Sequence, residues 1–310
     1  MFFSILHLLL SQKVKSYDPV DNLAVNCGNK GNTNPRNRNW VGDVDSNTIL
    51  FSLIEQSSVE ANAPTPIPPN VEQIPFDSAR LSQSQFTYSF HVVTNGPKFL
   101  RLHFYPTWYA NFVPYNSLFS VKAGNFTLLK DFNASLWVDD KHQTITKEYC
   151  INIDSGERLN VSFLPTTSHS DVYAFINGIE IVSMPAFLYY TNLTNDLDPG
   201  KFKVVGHGTT PYRILSGQAL DTVYRVNVGE KQVPPGEDTG MFRNWEVDYP
   251  GYLMKEYPQS ISSDYTRQPI YKDNVAPNYT APANVYLDAR SYGRDATEDY
   301  NVTWEFQVDS

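Results

Sequence analysis

One order of short motifs occurs twice along this chain, and that repetition constrains its fold more than any other feature. The first pass reads V-N-C-G (25–28), N-W-V-G-D (39–43), A-R (79–80) and T-Y-S-F-H-V (87–92). The second reads V-N-V-G (226–229), N-W-E-V-D (244–248), A-R (289–290) and T-W-E-F-Q-V (303–308). Four motifs kept in one order at similar spacings mean that two copies of one structural unit are being encoded. After Val92 the first copy runs on for about ninety patterned residues, whereas two residues follow Val308. The pattern therefore predicts one whole domain followed by the front part of a second. A partial sandwich leaves strand edges unpaired and an apolar face open. Residues 215–310 alone are thus expected not to fold cooperatively, and a sharp thermal transition of that fragment would refute this.

Strand signals dominate both copies. Phe86, Tyr88, Phe90 and Val92 alternate with Thr87, Ser89 and His91; Leu100, Leu102 and Phe104 alternate with Arg101 and His103. The same period of two returns at Tyr224, Val226 and Val228 and at Val302, Trp304, Phe306 and Val308. Such alternation predicts strands with one buried and one wet face. Turn residues separate them at 94–97, 154–157, 176–179 and 234–237, and no stretch keeps a helical period with caps. The expected fold is all-β, two β-sandwiches of jelly-roll type in tandem, the second incomplete. The expected divisions are 1–16 as a leader, 17–187 as the complete sandwich, 188–214 as a linker of Asn, Asp, Gly and Pro, and 215–310 as the partial one.

The leader expectation rests on the apolar run F-F-S-I-L-H-L-L-L at 2–10, which resembles the core of a secretory signal peptide. No stretch reaches the eighteen or more apolar residues of a membrane helix. The net charge of −9 argues against nucleic acid and suits a basic partner. Six N-x-S/T sequons, at Asn125, Asn133, Asn160, Asn192, Asn278 and Asn301, are candidate glycosylation sites. In L-N-V-S-F-L (159–164) the apolar residues share one strand face, which turns Asn160 outward. Cys27 and Cys150 are an even pair in a chain read as secreted, so a disulfide is one expectation. The other is a free buried thiol, because the repeat places Val228 where Cys27 stands.

Several motifs resemble one known family. L-R-L-H-F-Y-P (100–106), F-I-N-G-I-E-I (175–181), Y-R-V-N-V-G (224–229), E-D-T-G-M-F-R-N-W (237–245), D-A-R-S (288–291) and N-V-T-W-E-F-Q-V-D (301–309) resemble the malectin-like ectodomain of plant receptor-like kinases, the FERONIA-related group. The resemblance runs from Tyr17 to the end. It implies two malectin-like sandwiches outside the cell, ahead of a membrane span and a Ser/Thr kinase that these residues do not include. It implies perception at the plasma membrane of secreted rapid alkalinization factor peptides, with a GPI-anchored co-receptor, and association with cell-wall pectin.

The densest aromatic stretch, F-Y-P-T-W-Y-A-N-F-V-P-Y (104–115), has six aromatics in twelve residues. Phe104 continues the inward face of its strand. Tyr105, Trp108 and Tyr109 follow as candidate ligand contacts, since rings stack on sugars and anchor peptides. The resemblance matches Trp108 and Tyr109 to the aromatic pair of the animal malectin sugar cleft, whose acidic partner has only a displaced counterpart, Asp171. Lys30, Arg36 and Arg38 form the one candidate basic patch for pectin. Asp43, Asp45 and Asn47 begin like a calcium loop, but Thr48 replaces the required Gly and Ile54 the bidentate Glu, so no metal is expected. Asp248 shares the position of Asp43, which suggests a structural role at a turn. The six histidines lack metal-ligand spacing, and no nucleophile elbow, phosphate loop or kinase signature occurs, so neither cofactor nor catalysis is expected. The rival readings are a β-sandwich enzyme acting on wall polysaccharide and a truncated decoy.

Overall fold

The computed structural model describes residues 17–46, 48–153, 158–167, 170–192, 202–203, 211–229, 231–254, 259–262, 269–272, 277–292 and 301–308. The expected leader, most of the expected linker, the turn at 154–157, Asn47 and His169 lie outside the described residues. The chain divides into two compact units, Pro19–Val223 and Tyr224–Ser310, the second taking in Tyr17 and Asp18.

The first unit carries β1 (Asn22–Lys30), β2 (Asn32–Thr33), β3 (Trp40–Val44), β4 (Phe51–Ile54), β5 (Val59–Asn62), β6 (Ser78–Ser82), β7 (Phe86–His91), β8 (Gly96–Phe104), β9 (Leu118–Ala123), β10 (Phe126–Asn133), β11 (Ile145–Ile153), β12 (Arg158–Pro165), β13 (Ala174–Ile176) and β14 (Gly178–Ser183). β15 (Phe202–Lys203) and β16 (Pro211–Tyr212) pair with each other, and β17 (Leu220–Asp221) follows. Seven strands form one sheet in the order β17-β11-β8-β14-β1-β3-β2, and five form another in the order β10-β9-β12-β7-β4. Their apolar faces share one core. Leu100, Leu102 and Phe104 from the first sheet meet Phe86, Tyr88, Phe90, Phe119 and Phe163 from the second. Phe86 stacks on Phe163 at 4.9 Å, and Phe104 packs against Phe119, Phe132 and Phe175. The alternation read from the sequence is thus the alternation that fills the sandwich.

The opposite face of β8 departs from expectation. Arg101 and His103 are buried rather than wet. Register explains it: Arg101 stands opposite Glu148 of β11 on one side and Glu180 of β14 on the other. The Arg101 Nε donates to Glu148 at 2.6 Å, Arg38 pairs with Glu180 at 2.8 Å, and His103 Nε2 lies 2.9 Å from Glu180. Burial works against the Glu180 charge, but His103, Arg38 and Arg101 outweigh it and hold its carboxyl well below the usual range.

Residues 215–223 were expected in the second sandwich, yet they finish the first. Leu220 and Asp221 pair with Cys150 and Tyr149 at the exposed edge of β11. Thr222 donates through N–H and hydroxyl to the backbone and side chain of Glu148, and the Tyr190 hydroxyl reaches the carbonyls of Cys150 and Gln218. An open strand edge carries unpaired polar groups, and this segment satisfies them. Cys27 and Cys150 are both buried and are not bonded to each other, so the disulfide expectation fails. Burial, then the Asp43 charge, pushes the Cys27 thiol well up.

In the second unit β18 (Val226–Asn227) runs parallel to β19 (Glu246–Val247), and β20 (Gln259–Ser262) pairs with β21 (Asp288–Ser291). Among the described residues α-helix is limited to single turns, α1 (Gln73–Phe76) and α2 (Ala283–Leu287).

The four repeated motifs meet in space, once in each unit. Buried Asp43 accepts from the Gly28 N–H at 2.7 Å, from Arg80 Nε and Nη2 at 3.1 Å each, and from the Tyr88 hydroxyl at 2.5 Å. Buried Asp248 accepts from the Gly229 N–H at 3.2 Å, from Arg290 Nη2 at 2.6 Å and from Trp304 Nε1 at 2.9 Å. Each motif supplies one member: a glycine N–H, a carboxylate, a guanidinium and an aromatic donor. Gly28 is required because its φ is +78° and a Cβ there would lie 2.2 Å from the Ala79 carbonyl oxygen. The repeat is a repeated buried ion pair, wider than the turn-capping role read for the aspartates.

Candidate functional site

The aromatic stretch after β8 splits into a buried half and a presented half. Tyr109 is fully buried and Tyr105 nearly so, which corrects their reading as ligand contacts. The reason is Asn177, a buried residue between β13 and β14. Its Oδ1 accepts the Tyr105 N–H at 2.7 Å, and its Nδ2 donates at 2.7 Å both to the Tyr109 hydroxyl and to the Ser78 carbonyl. The Tyr109 hydroxyl in turn donates to the Tyr105 carbonyl at 3.0 Å. Burial raises the Tyr109 phenol far above its ordinary value, so it stays a neutral donor. The sequence placed I-N-G-I among the turns; its Asn is the internal clamp of the loop, signalled only by polarity between two apolar strands.

Trp108, by contrast, is 54% exposed, and Tyr115 on the same loop is 68% exposed. Trp137 joins Tyr115's surroundings: Asn133 Nδ2 donates to the Tyr115 carbonyl at 3.0 Å, and Asn133 Oδ1 caps the short turn Ala134–Trp137 through the Ser135 N–H. Trp137 is 59% exposed, with the Lys147 ammonium 3.9 Å from its ring centre. Tyr115 and Trp137 are the presented aromatics that the sequence reading did not select. Asp171 is exposed and takes a hydrogen bond from Ser170. Tyr173, two residues on, donates its N–H to the Asn116 carbonyl and packs on Phe112, so the segment leading into β13 runs beside the loop. Among the described residues nothing joins Asp171 to Trp108.

The basic patch does not assemble. Lys30 pairs with Asp45 at 3.0 Å and Arg36 with Glu72 at 2.5 Å, both at the surface. Arg38 is buried against Glu180, Asn22 and the Leu23 carbonyl. Each cation has its own carboxylate, which leaves little field for a polyanion. An open cleft of about 960 Å³ lies elsewhere, above the Asp43–Arg80 pair. Its wall adds Asp45, Glu55 and Glu60, so carboxylates outnumber its one guanidinium and a guest there would be cationic. Among the described residues no group of His, Cys, Asp and Glu is placed to hold a metal.

A malectin-like domain matches residues 25–310, nearly the whole chain. This chain belongs to the malectin-like family. Among curated relatives, the Arabidopsis thaliana receptor-like protein kinase FERONIA is 37% identical over 302 residues, which is 95% of this chain and 32% of that protein. ANXUR2 of the same plant is 31% identical over 82% of this chain and 28% of its own length. The malectin-like chain thus spans about a third of the curated relatives it matches. Among solved structures, FER in complex with plant peptide RALF23 and LLG2 superimposes with a TM-score of 0.78 at 36% identity, covering 95% of this chain and 72% of that one. The plant receptor-like kinase ANX2 gives a TM-score of 0.80 at 29% identity, over 93% and 72%. The all-β sandwich fold follows directly, and the matched region is malectin-like rather than kinase.

Proposed function

We propose that this chain is the sensing part of a cell-surface receptor and binds a secreted basic peptide outside the cell, without catalysis of its own. The observation that carries the reading is its likeness to FER solved with RALF23 and LLG2. Two features of the chain support it. Trp108, Tyr115 and Trp137 present aromatic area of the kind that anchors peptides, on loops held by Asn177 and Asn133. The acidic cleft beside Asp43 and the net charge of −9 suit basic side chains. A GPI-anchored co-receptor of the LLG2 kind is the expected second partner. Pectin is the weaker reading, because Lys30, Arg36 and Arg38 are each paired with a carboxylate.

The test is interferometry on the secreted chain against rapid alkalinization factor peptides, with and without co-receptor, and against oligogalacturonides at two salt concentrations. Peptide binding is expected, weakened about tenfold by Trp108→Ala, the loss of a contact worth more than about 1 kcal/mol. Glu55→Gln with Glu60→Gln is expected to slow association and flatten its salt dependence. Oligogalacturonide binding without peptide binding would overturn the reading.

A further inference from the structure

Gly240 in the second unit is a glycine for a reason that lies at the far end of the chain. Its φ is +98°, and a Cβ there would lie 1.9 Å from the carbonyl oxygen of Tyr17. A side chain at residue 240 would be strained by its own backbone and would collide with that of Tyr17. Tyr17 is held twice more. Its N–H donates to the Thr239 carbonyl at 2.8 Å, and its ring packs edge-on against Tyr279 at 6.1 Å. What receives Tyr17 is built without it. Wholly buried Arg243 is held by Asp238 at 2.9 Å through both Nε and Nη2. Its Nη2 also donates to the Thr239 hydroxyl at 2.8 Å and to the Tyr279 carbonyl at 3.0 Å. The Thr239 hydroxyl donates to the same carbonyl at 2.8 Å. One guanidinium thus fixes both walls of a slot, the Thr239–Gly240 turn and the Tyr279 segment.

We propose that this slot is a binding site for the chain's own lead-in, and that Tyr17 is a strap that closes the second unit. The site takes a backbone segment bearing an aromatic ring. The segment's N–H meets the Thr239 carbonyl, its own carbonyl passes over Gly240, and its ring meets Tyr279. The first copy of the repeat has no equivalent. Counting back from the shared Asn-Trp pair, Pro35 stands where Gly240 does. Proline has a Cβ and a fixed negative φ, so it offers neither the gap nor the conformation. The chain therefore crosses between the units twice, at Asp18–Pro19 and at Val223–Tyr224. Residues 224–310 without Tyr17 leave the Thr239 carbonyl without this donor, and trimming of the chain start beyond residue 16 has the same effect.

The experiment is amide hydrogen exchange, read by mass spectrometry, on the full chain and four variants. These are Tyr17→Ala, Gly240→Ala, the two combined, and a chain lacking residues 1–18. Tyr17→Ala removes only the ring and is expected to speed exchange in 238–245 and 277–281 about threefold. Gly240→Ala expels the strap and is expected to speed it about tenfold, through loss of the hydrogen bond as well. The combined variant is expected to go no faster than Gly240→Ala, because the strap is already out. Loss of residues 1–18 is expected to match Gly240→Ala, and strands β8 and β11 of the first unit to exchange as before in every variant. A shortened chain with unchanged exchange in 238–245 overturns the proposal, since any effect of Gly240→Ala would then be strain at residue 240 alone. Additive effects in the combined variant overturn it as well. If Gly240→Ala does not fold, the shortened chain and Tyr17→Ala decide the matter.

Discussion

Asp43 receives four donors from three other segments of the chain, and its removal tests what the repeat is for. Asp43→Ala leaves Tyr88, the Gly28 N–H and the Nε and Nη2 of Arg80 buried without an acceptor, Arg80 keeping the half-exposed Glu60 at 3.4 Å through Nη1. Breaking a buried pair on one side costs about 3–5 kcal/mol, most of it the stranded charge. Urea unfolding is expected to show that loss, and Asp43→Leu combined with Arg80→Met to recover much of it. A small loss for Asp43→Ala would mean water reaches the pair. Asn177→Ala strands the Tyr105 N–H and the Ser78 carbonyl, at about 1–3 kcal/mol for each such group, while the Tyr109 hydroxyl keeps its bond to the Tyr105 carbonyl. It is expected to weaken peptide binding as well, because it frees the loop that carries Trp108. At this scale the sequence exposed the equivalence of Asp43 and Asp248 and the inward place of Phe104. It could not separate Tyr109 from Trp108, since neighbours in a loop point to core or solvent according to a clamp seventy residues away.

Strand β8 shows what period-two alternation conveys. Leu100, Leu102 and Phe104 were legible as core because nothing but burial favours that pattern. The polar positions between them were not legible as buried, since a wet Arg and one flanked by Glu148 and Glu180 alternate identically. The buried network predicts acid sensitivity of definite sign. Burial raises the Glu180 and Asp21 pKa values, but their hydrogen bonds and cationic neighbours outweigh it and leave both folded values lowered. A depressed carboxylate contributes its stability fully above its unfolded pKa, about 4, and loses it as pH falls through the folded value. Urea midpoints should therefore hold between pH 7 and 5 and fall steeply below pH 4. Glu180→Gln should lower the midpoint at pH 7, because Arg38 loses its charge partner, and flatten the fall below pH 4. An unchanged acid slope in that variant would show that other carboxylates drive the transition.

For the whole molecule, the decisive boundary lies at Tyr224 rather than near residue 187. Linker composition was readable between 191 and 211, and composition marks where a chain is free to leave a core. It carries no sign that the chain returns, and here Leu220 and Asp221 close the edge of β11 while Thr222 holds Glu148 of the buried network. Tyr190 ties the two ends of that excursion together through Cys150 and Gln218. A fragment ending at 187 would expose a strand edge, strip Glu148 of the two donors of Thr222 and uncover Tyr149. One ending at 223 keeps all three. The longer fragment is expected to unfold at a higher guanidinium midpoint, by a few kcal/mol in stability, and to stay monomeric where the shorter one associates through its open edge. Equal midpoints and equal elution in gel filtration would mean that β17 rests on the sandwich without holding it.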